Sequence, residues 1–167
     1  DIERHKRSAI KALVVKNVAD KYSRKMIEAL EAAAKTYKAK GLAWMKVDGE
    51  GAFEGGISKF YAGKEKEICE KLGAEKNDLL LFVSDERWQT ACVALGAVRK
   101  QLGKELDLYD PRDRFHFVWI IDFPYFAWNE DESKWETEHH MFTLPQKKYW
   151  DTLEREPGAV KGDLYYL

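Results

Sequence analysis

Two adjacent histidines, His139 and His140, have the clearest chemical potential in this chain. An imidazole donates hydrogen bonds near neutral pH and carries charge when an anion demands it, so either ring suits a carboxylate ligand. The surrounding run, Trp135-Glu-Thr-Glu-His-His-Met-Phe142, reads as a strand, on which neighbours point to opposite faces. The two rings therefore cannot chelate one metal together. Either one faces a cleft while the other braces it or acts across a bend, or the pair only decorates a hairpin. Asp122-Phe123-Pro124 directly follows an apolar run, where a carboxylate either takes part in chemistry or caps a turn. Trp119, Phe123, Tyr125, Phe126 and Trp128 have faces on which bases could stack, but their place on and beside an apolar strand favours core packing.

Other chemistries find less support. The loop Asp48-Gly-Glu-Gly-Ala-Phe-Glu-Gly-Gly56 is rich in glycine, yet no Gly-Lys-Ser/Thr follows it and no GxGxxG opens a helix. It reads as a connector between strands more than as a phosphate cradle. Cys69 and Cys92 stand 23 positions apart, with no CxxC, which argues against a zinc site or a disulfide framework. No Ser/His/Asp order, Cys/His pairing or glycosidase-like carboxylate pair stands out.

The elements that must position these residues follow from periodicity. Ala9–Lys16 is rich in β-formers. Ser23 is placed to cap a helix whose Ile27, Leu30, Ala34 and Tyr37 recur at helical steps, with Gly41 as its stop. Leu42–Val47 and Ile57–Tyr61 read as strands, Glu65–Leu72 as a short helix ended by Gly73, and Leu79–Val83 as a fully apolar strand. The expected architecture over 9–83 is α+β, a two-layer antiparallel sheet with two helices. Beyond Ser84 come a long helix over 85–106, a break at Asp110-Pro111 and a strand Phe115–Ile121 apolar on both faces, suited to the centre of a larger sheet. A hairpin then flanks Asn129–Lys134, followed by a polar helix near 146–155 and a closing strand. A boundary near Ser84 is expected, with 84–167 an incomplete segment of another domain.

With 167 residues, 45% of them hydrophobic, folding buries roughly 70% of the chain's surface, enough for one core or two small ones. No apolar run nears the ~18 residues of a membrane span, and no charged-then-apolar start resembles a secretion signal, while the two widely spaced cysteines fit a reducing cytoplasm as the expected setting. The net charge of −1 hides a gradient: residues 1–83 carry +4 and 84–167 carry −5, while residues 1–40 alone carry +6. Such asymmetry fits either a polyanionic partner or a solvated basic helix face. The chain opens without Met and closes on Gly162-Asp-Leu-Tyr-Tyr-Leu167, so a piece of a longer protein is expected.

Four stretches together resemble the bacterial-type aspartyl-tRNA synthetase family, in its inserted GAD domain and the catalytic segment after it. They are Lys40-Gly-Leu-Ala-Trp-Met-Lys-Val47, Ala94-Leu-Gly-Ala-Val-Arg-Lys-Gln-Leu-Gly103, Phe117-Val-Trp-Ile-Ile-Asp-Phe-Pro-Tyr-Phe126 and Glu138-His-His-Met-Phe-Thr143. The resemblance implies a GAD (DCoH-like) module over 9–83 inserted into a class II antiparallel-sheet catalytic domain. It implies a parent ligase that activates L-aspartate with ATP and Mg²⁺, passes it to tRNA, and works as a cytoplasmic homodimer without a membrane. By the same resemblance His139 and His140 line the aspartate/adenylate pocket, in an electrostatic role. Asp122 lies near that pocket without a definite role. Met141 stands where the family usually has Pro, which frees a backbone N–H beside His140. The ATP-holding motifs of class II enzymes do not occur in these residues, so this piece is expected to be inactive alone, with no catalytic residue, metal or cofactor of its own. The alternative is an autonomous RNA-binding or protein-docking module, including the GAD domain that the Asp/Glu-tRNA amidotransferase shares in one of its subunits.

Overall fold

Leu79-Leu-Leu-Phe-Val83 is apolar at every position, so a strand built from it has to be covered on both faces. The computed structural model describes residues 9–109, 112, 117–129, 132–140 and 142–163. Asp110-Pro111, the start of the expected 115–121 strand, Met141 and the end of the closing strand lie outside them. In chain order the elements are β1 (Ala9–Val15), α1 (Arg24–Thr36), β2 (Ala43–Val47), β3 (Phe53–Glu54), α2 (Glu65–Leu72), β4 (Leu79–Asp85), α3 (Trp88–Glu105), β5 (Phe126–Asn129), β6 (Lys134–Thr137), β7 (Leu144–Pro145) and β8 (Gly162–Asp163). Short 3-10 turns occupy Ser58–Phe60, Lys147–Thr152 and Pro157–Ala159. Residues 2–112 and 113–167 form two compact units.

In the first unit β4 runs between β1 and β2, with β3 on the outer edge, all antiparallel. The register sets Leu13 opposite Leu81 and Met45 opposite Leu80. Alternation along β4 then sends Leu79, Leu81 and Val83 to one face, against Ile27, Leu30 and Ala34 of α1 and Ala91, Ala94, Val98 and Leu102 of α3. Leu80 faces the other way with Met45 and Val47, beneath Ile68, Cys69 and Leu72 of α2. The α+β antiparallel fold is the one expected. Its helices are dealt differently, because α2 covers the face opposite α1 and the helix sharing α1's face is α3. The first unit accordingly runs past Ser84, where a boundary was expected. Severing α3 from β4 there would strip one sheet face of its cover.

Local chemistry explains most element ends. The Ser23 hydroxyl accepts the Met26 N–H at 3.4 Å, capping α1 as expected. Gly41 does not stop that helix. Lys38, at φ +67°, takes the left-handed turn, with N–H bonds from Lys38 to Lys35 C=O and from Ala39 to Ala34 C=O. Gly73, at φ +63°, does end α2. Residues 57–61 form a 3-10 turn instead of the expected strand. Gly55 and Gly56 fold the chain back over Trp44, whose C=O accepts the Ile57 N–H at 3.0 Å. A Cβ on Gly56 would lie 1.8 Å from that carbonyl oxygen. The glycine-rich loop is an ordered turn, since Asp48 Oδ1 accepts the N–H groups of Glu50, Gly51 and Ala52 at 2.7–2.8 Å. Those bonds hold the Asp48 carboxyl below its usual range.

Asp78 ties the ends of β1 and β4 together. It is 1% exposed, and its carboxylate accepts the N–H groups of Asn17 at 2.9 Å and Glu75 at 2.7 Å and pairs with Lys16 at 3.0 Å. Burial alone would push this carboxyl up, but the two N–H donors and the ammonium together outweigh it and hold the group below the usual value. Across the unit, buried Tyr22 donates its hydroxyl to Glu105 at 3.0 Å, joining the start of α1 to the end of α3. Burial, then this carboxylate, pushes the phenol up to about 12.

The second unit is built from short pairings. The β5–β6 hairpin has the expected antiparallel sense, with Trp128 and Trp135 opposite each other, edge to face at 5.4 Å. β7 pairs with β8. Residues 117–121, the described part of the expected central strand, form no strand, and Trp119 is 88% exposed. A strand apolar on both faces gains from pairing only when both faces are covered, and none of the described short strands does that. The polar helix expected near 146–155 is only the 3-10 turn Lys147–Thr152.

Candidate functional site

The histidine pair is placed by residues 123–125, which are pinned on both sides. The Phe123 C=O accepts the Gly162 N–H at 2.9 Å, Pro124 bridges Lys161, and the Tyr125 N–H donates to Val160 C=O at 3.0 Å. On the other side the Tyr125 C=O accepts the Glu138 N–H at 3.0 Å, one residue beyond the end of β6. The hairpin is tied at its turn end by Asn129, which donates to Glu136 at 3.0 Å, and by Lys134, which pairs with Glu132 and Glu136. Asn129 first, then Lys134, holds the Glu136 carboxyl below its usual range.

Past Glu138 the chain bends, so the two histidines are not on a strand, as the sequence pattern suggests. The extended pairing ends because the chain turns, with the Thr143 N–H donating to His140 C=O at 2.9 Å. The bend gives each ring its own neighbour. His139 is half-buried, edge-on to Phe123 with ring centroids 4.4 Å apart. Its Nε2 is buried and meets no hydrogen-bond partner among the described residues. Leaving such an atom unsatisfied costs about 1–3 kcal/mol, which a bound polar ligand would return. His140 is exposed and tilts over Phe142 at 4.7 Å. The two rings thus have different aromatic neighbours. Among the described residues no group of three His, Cys, Asp or Glu is placed to hold a metal ion.

Asp122 sits at φ +55°, exposed, with Gln146 Nε2 at the 3.5 Å limit of a hydrogen bond to Oδ1. Sequence reasoning valued Tyr125 only as an aromatic. The structure makes it the clamp of the site: its backbone bonds both neighbours, and its hydroxyl donates to the C=O of buried Thr143 at 3.0 Å. Gln146 was missed altogether; its N–H donates to Lys161 C=O at 2.8 Å. A phenol at Tyr125, followed eighteen residues later by Thr143, carries no periodic signal that would have revealed the clamp.

Both cysteines are free and partly buried, and burial pushes the Cys69 thiol up, away from reactivity. Among the described residues no helix is long and apolar enough to cross a membrane.

Comparison with known proteins now adds to this geometry. The chain is 64% identical over 95% of its length to an aspartate–tRNA(Asp/Asn) ligase of Treponema denticola, covering 27% of that protein. It is 46% identical over 94% of its length to an aspartate–tRNA ligase of Streptococcus equi subsp. zooepidemicus, covering 26% of it. It is 40% identical over 96% of its length to an aspartate–tRNA(Asp/Asn) ligase of Borreliella burgdorferi, covering 27% of it. The chain therefore spans about a quarter of the length of the curated relatives it matches. The GAD domain pattern matches residues 3–95, more than half of the chain and most of the unit built around β4. With that match lying on a four-stranded antiparallel sheet flanked by helices, the chain belongs to the GAD domain family.

Proposed function

We propose that this chain is part of an aspartate–tRNA ligase, contributing the inserted GAD module and one wall of the aspartate/adenylate pocket. The observation that carries the reading is the continuous similarity to three ligases so named, over 94–96% of the chain. An amidotransferase component sharing only the GAD module fits less well, because the similarity runs on through the hairpin and the histidine pair.

In the parent reaction an α-carboxylate oxygen of aspartate bonds to the α-phosphorus of ATP, and the bond to pyrophosphate breaks. A ribose hydroxyl at the 3′ end of tRNA then attacks the acyl carbon, and AMP leaves with the bonding electron pair. His139 and His140 act by recognition. Imidazole N–H groups aimed at a substrate carboxylate donate charge-assisted hydrogen bonds, and the Phe123 and Phe142 rings fix their orientation. The buried Nε2 of His139 is an atom such a ligand would satisfy. Mg²⁺ and the ATP phosphates belong to the rest of the parent. The described residues of this chain offer no acidic cluster for the ion. A homodimeric parent in the cytoplasm completes the reading.

The test is a segment exchange. Replacing the matching 160 residues of the Treponema denticola ligase by this chain is expected to preserve aspartate-dependent ATP–pyrophosphate exchange. His139→Ala or His140→Ala in that chimaera raises the KM for aspartate about tenfold or more, the worth of one hydrogen bond to a charged group. The 167-residue chain alone gives no exchange. A folded chimaera without exchange would overturn the ligase reading, and an unchanged aspartate KM in both variants would overturn the pocket.

A further inference from the structure

Part of the basic charge of the first 40 residues is paired within the fold. Lys16 pairs with Asp78 and Glu75, Arg24 with Glu28, Lys35 with Glu31 and Lys40 with Glu86. Cations without such a partner occur on α3 as well. Arg99, Lys100 and Lys104 lie along α3 with no ion-pair partner among the described residues, while Glu105 beside them accepts hydrogen bonds from the neutral Tyr22 and Gln101 and keeps its negative charge. Lys104, in the last turn, complements the carbonyl end of the helix, but Arg99 and Lys100 stand too early to do so. Lys100 and Lys104 are also four residues apart on one helix face, a spacing at which like charges oppose folding.

These cations line a groove of about 980 Å³ between α1 and α3, within the first unit. Tyr37 stands in it at the end of α1, half exposed, and Tyr109 stands in it beyond α3. Tyr109 is held there by a turn: the Leu108 N–H donates to Gly103 C=O at 3.0 Å, and the ring lies 3.8 Å from where a Cβ on Gly103 would be. Lined by three cations and one carboxylate, Glu105, the groove thus offers two exposed phenol faces beside a net positive charge. An anionic strand with unstacked bases is complementary to both features, since bases stack on aromatic rings and phosphates meet the cations. A duplex, whose bases already stack on each other, could use only the charge.

We infer that the groove between α1 and α3 binds a single-stranded segment of RNA. The groove's chemistry is independent of the ligase assignment, and only the choice of RNA over DNA rests on it.

The experiment is fluorescence anisotropy of the 167-residue chain with a fluorescein-labelled single-stranded RNA of about 12 nucleotides, within the usual span of such sites, across a KCl series. The arms are an RNA duplex of the same length and a DNA strand of the same sequence. Tyr37→Ala and Tyr109→Ala are each expected to weaken RNA binding at least about fivefold, the lower end of one stacked base. Changing Lys100 and Lys104 together to Ala flattens the salt slope by about 1.4, two phosphate contacts on a single strand. Lys35→Ala with Lys40→Ala leaves the affinity within about twofold, since both cations are already paired. Melting temperatures of all variants, whose changed side chains are exposed, check that the fold persists. Absent RNA binding, equal duplex binding, or indifference to both tyrosines overturns the groove. Equal binding of the DNA strand overturns the RNA assignment, and it leaves the exchange assay of the ligase reading untouched.

Discussion

Asp78 shows how one side chain can govern both stability and its pH dependence. Its carboxylate is buried, and it serves two backbone donors and an ammonium. In Asp78→Asn one of the two oxygens becomes an NH₂ that faces a backbone donor, so that N–H loses its bond to a charged acceptor and is left unsatisfied, and the ion pair with Lys16 is lost as well. The expected cost at pH 7 is about 2–3 kcal/mol, measured as a lowered urea midpoint. The sign of the pH effect follows from a carboxyl held below its ordinary value in the folded state. Its stabilisation is complete above the unfolded-state value of about 4 and is lost as pH falls below it. The wild-type chain is therefore expected to lose more stability between about pH 5 and pH 3 than Asp78→Asn does. Parallel losses in both proteins would show that Asp78 is not the source of the acid sensitivity.

At the scale of elements, two left-handed residues make opposite predictions. Gly56 has φ +45°, and a Cβ there would collide with the Trp44 carbonyl oxygen that receives the Ile57 N–H. Gly56→Ala is expected to cost about 3 kcal/mol, strain plus a displaced hydrogen bond, and to lower the melting temperature accordingly. Lys38 occupies the left-handed position that ends α1 at φ +67°, a conformation that penalises a side chain. Lys38→Gly is expected to raise stability by about 0.5–1 kcal/mol in the same denaturation assay, the relief of strain exceeding the added freedom of the unfolded chain. These positions also mark where sequence was informative. Ser23, Gly73 and the unbroken apolar run of β4 announce themselves because a cap, a left-handed stop and a doubly covered strand each demand a residue type. Gly55 and Gly56 were visible only as flexibility, because their purpose is the close approach of Trp44, which lies on another strand. The bend after Glu138 was hidden for a similar reason. Alternating residues promised a strand through Phe142, but the turn closed by the His140 carbonyl decides the outcome.

At the scale of the whole molecule, the sheet class and the hairpin were legible from periodicity, whereas the allegiance of α3 was not. Its apolar stripe shows that it packs, but not on what, and the two sides of β4 had to be filled before the answer existed. Because the unit of 2–112 holds its own core on both sheet faces, residues 2–112 alone are expected to melt cooperatively, close to the temperature of the first unit in the full chain. A broad, non-cooperative melt of that piece would show that the later residues are required. The strand order carries one more consequence. β4 lies between β1 and β2 and bonds to both, yet it follows them in the chain, with β3 and α2 intervening. During vectorial synthesis the ladders that join β1 and β2 to the sheet centre cannot close until β4 has left the ribosome, and one face of β4 stays bare until α3 follows. The module's contact order is therefore set by its centre and not by its ends, and its nascent first half is the stage at which it most needs a chaperone.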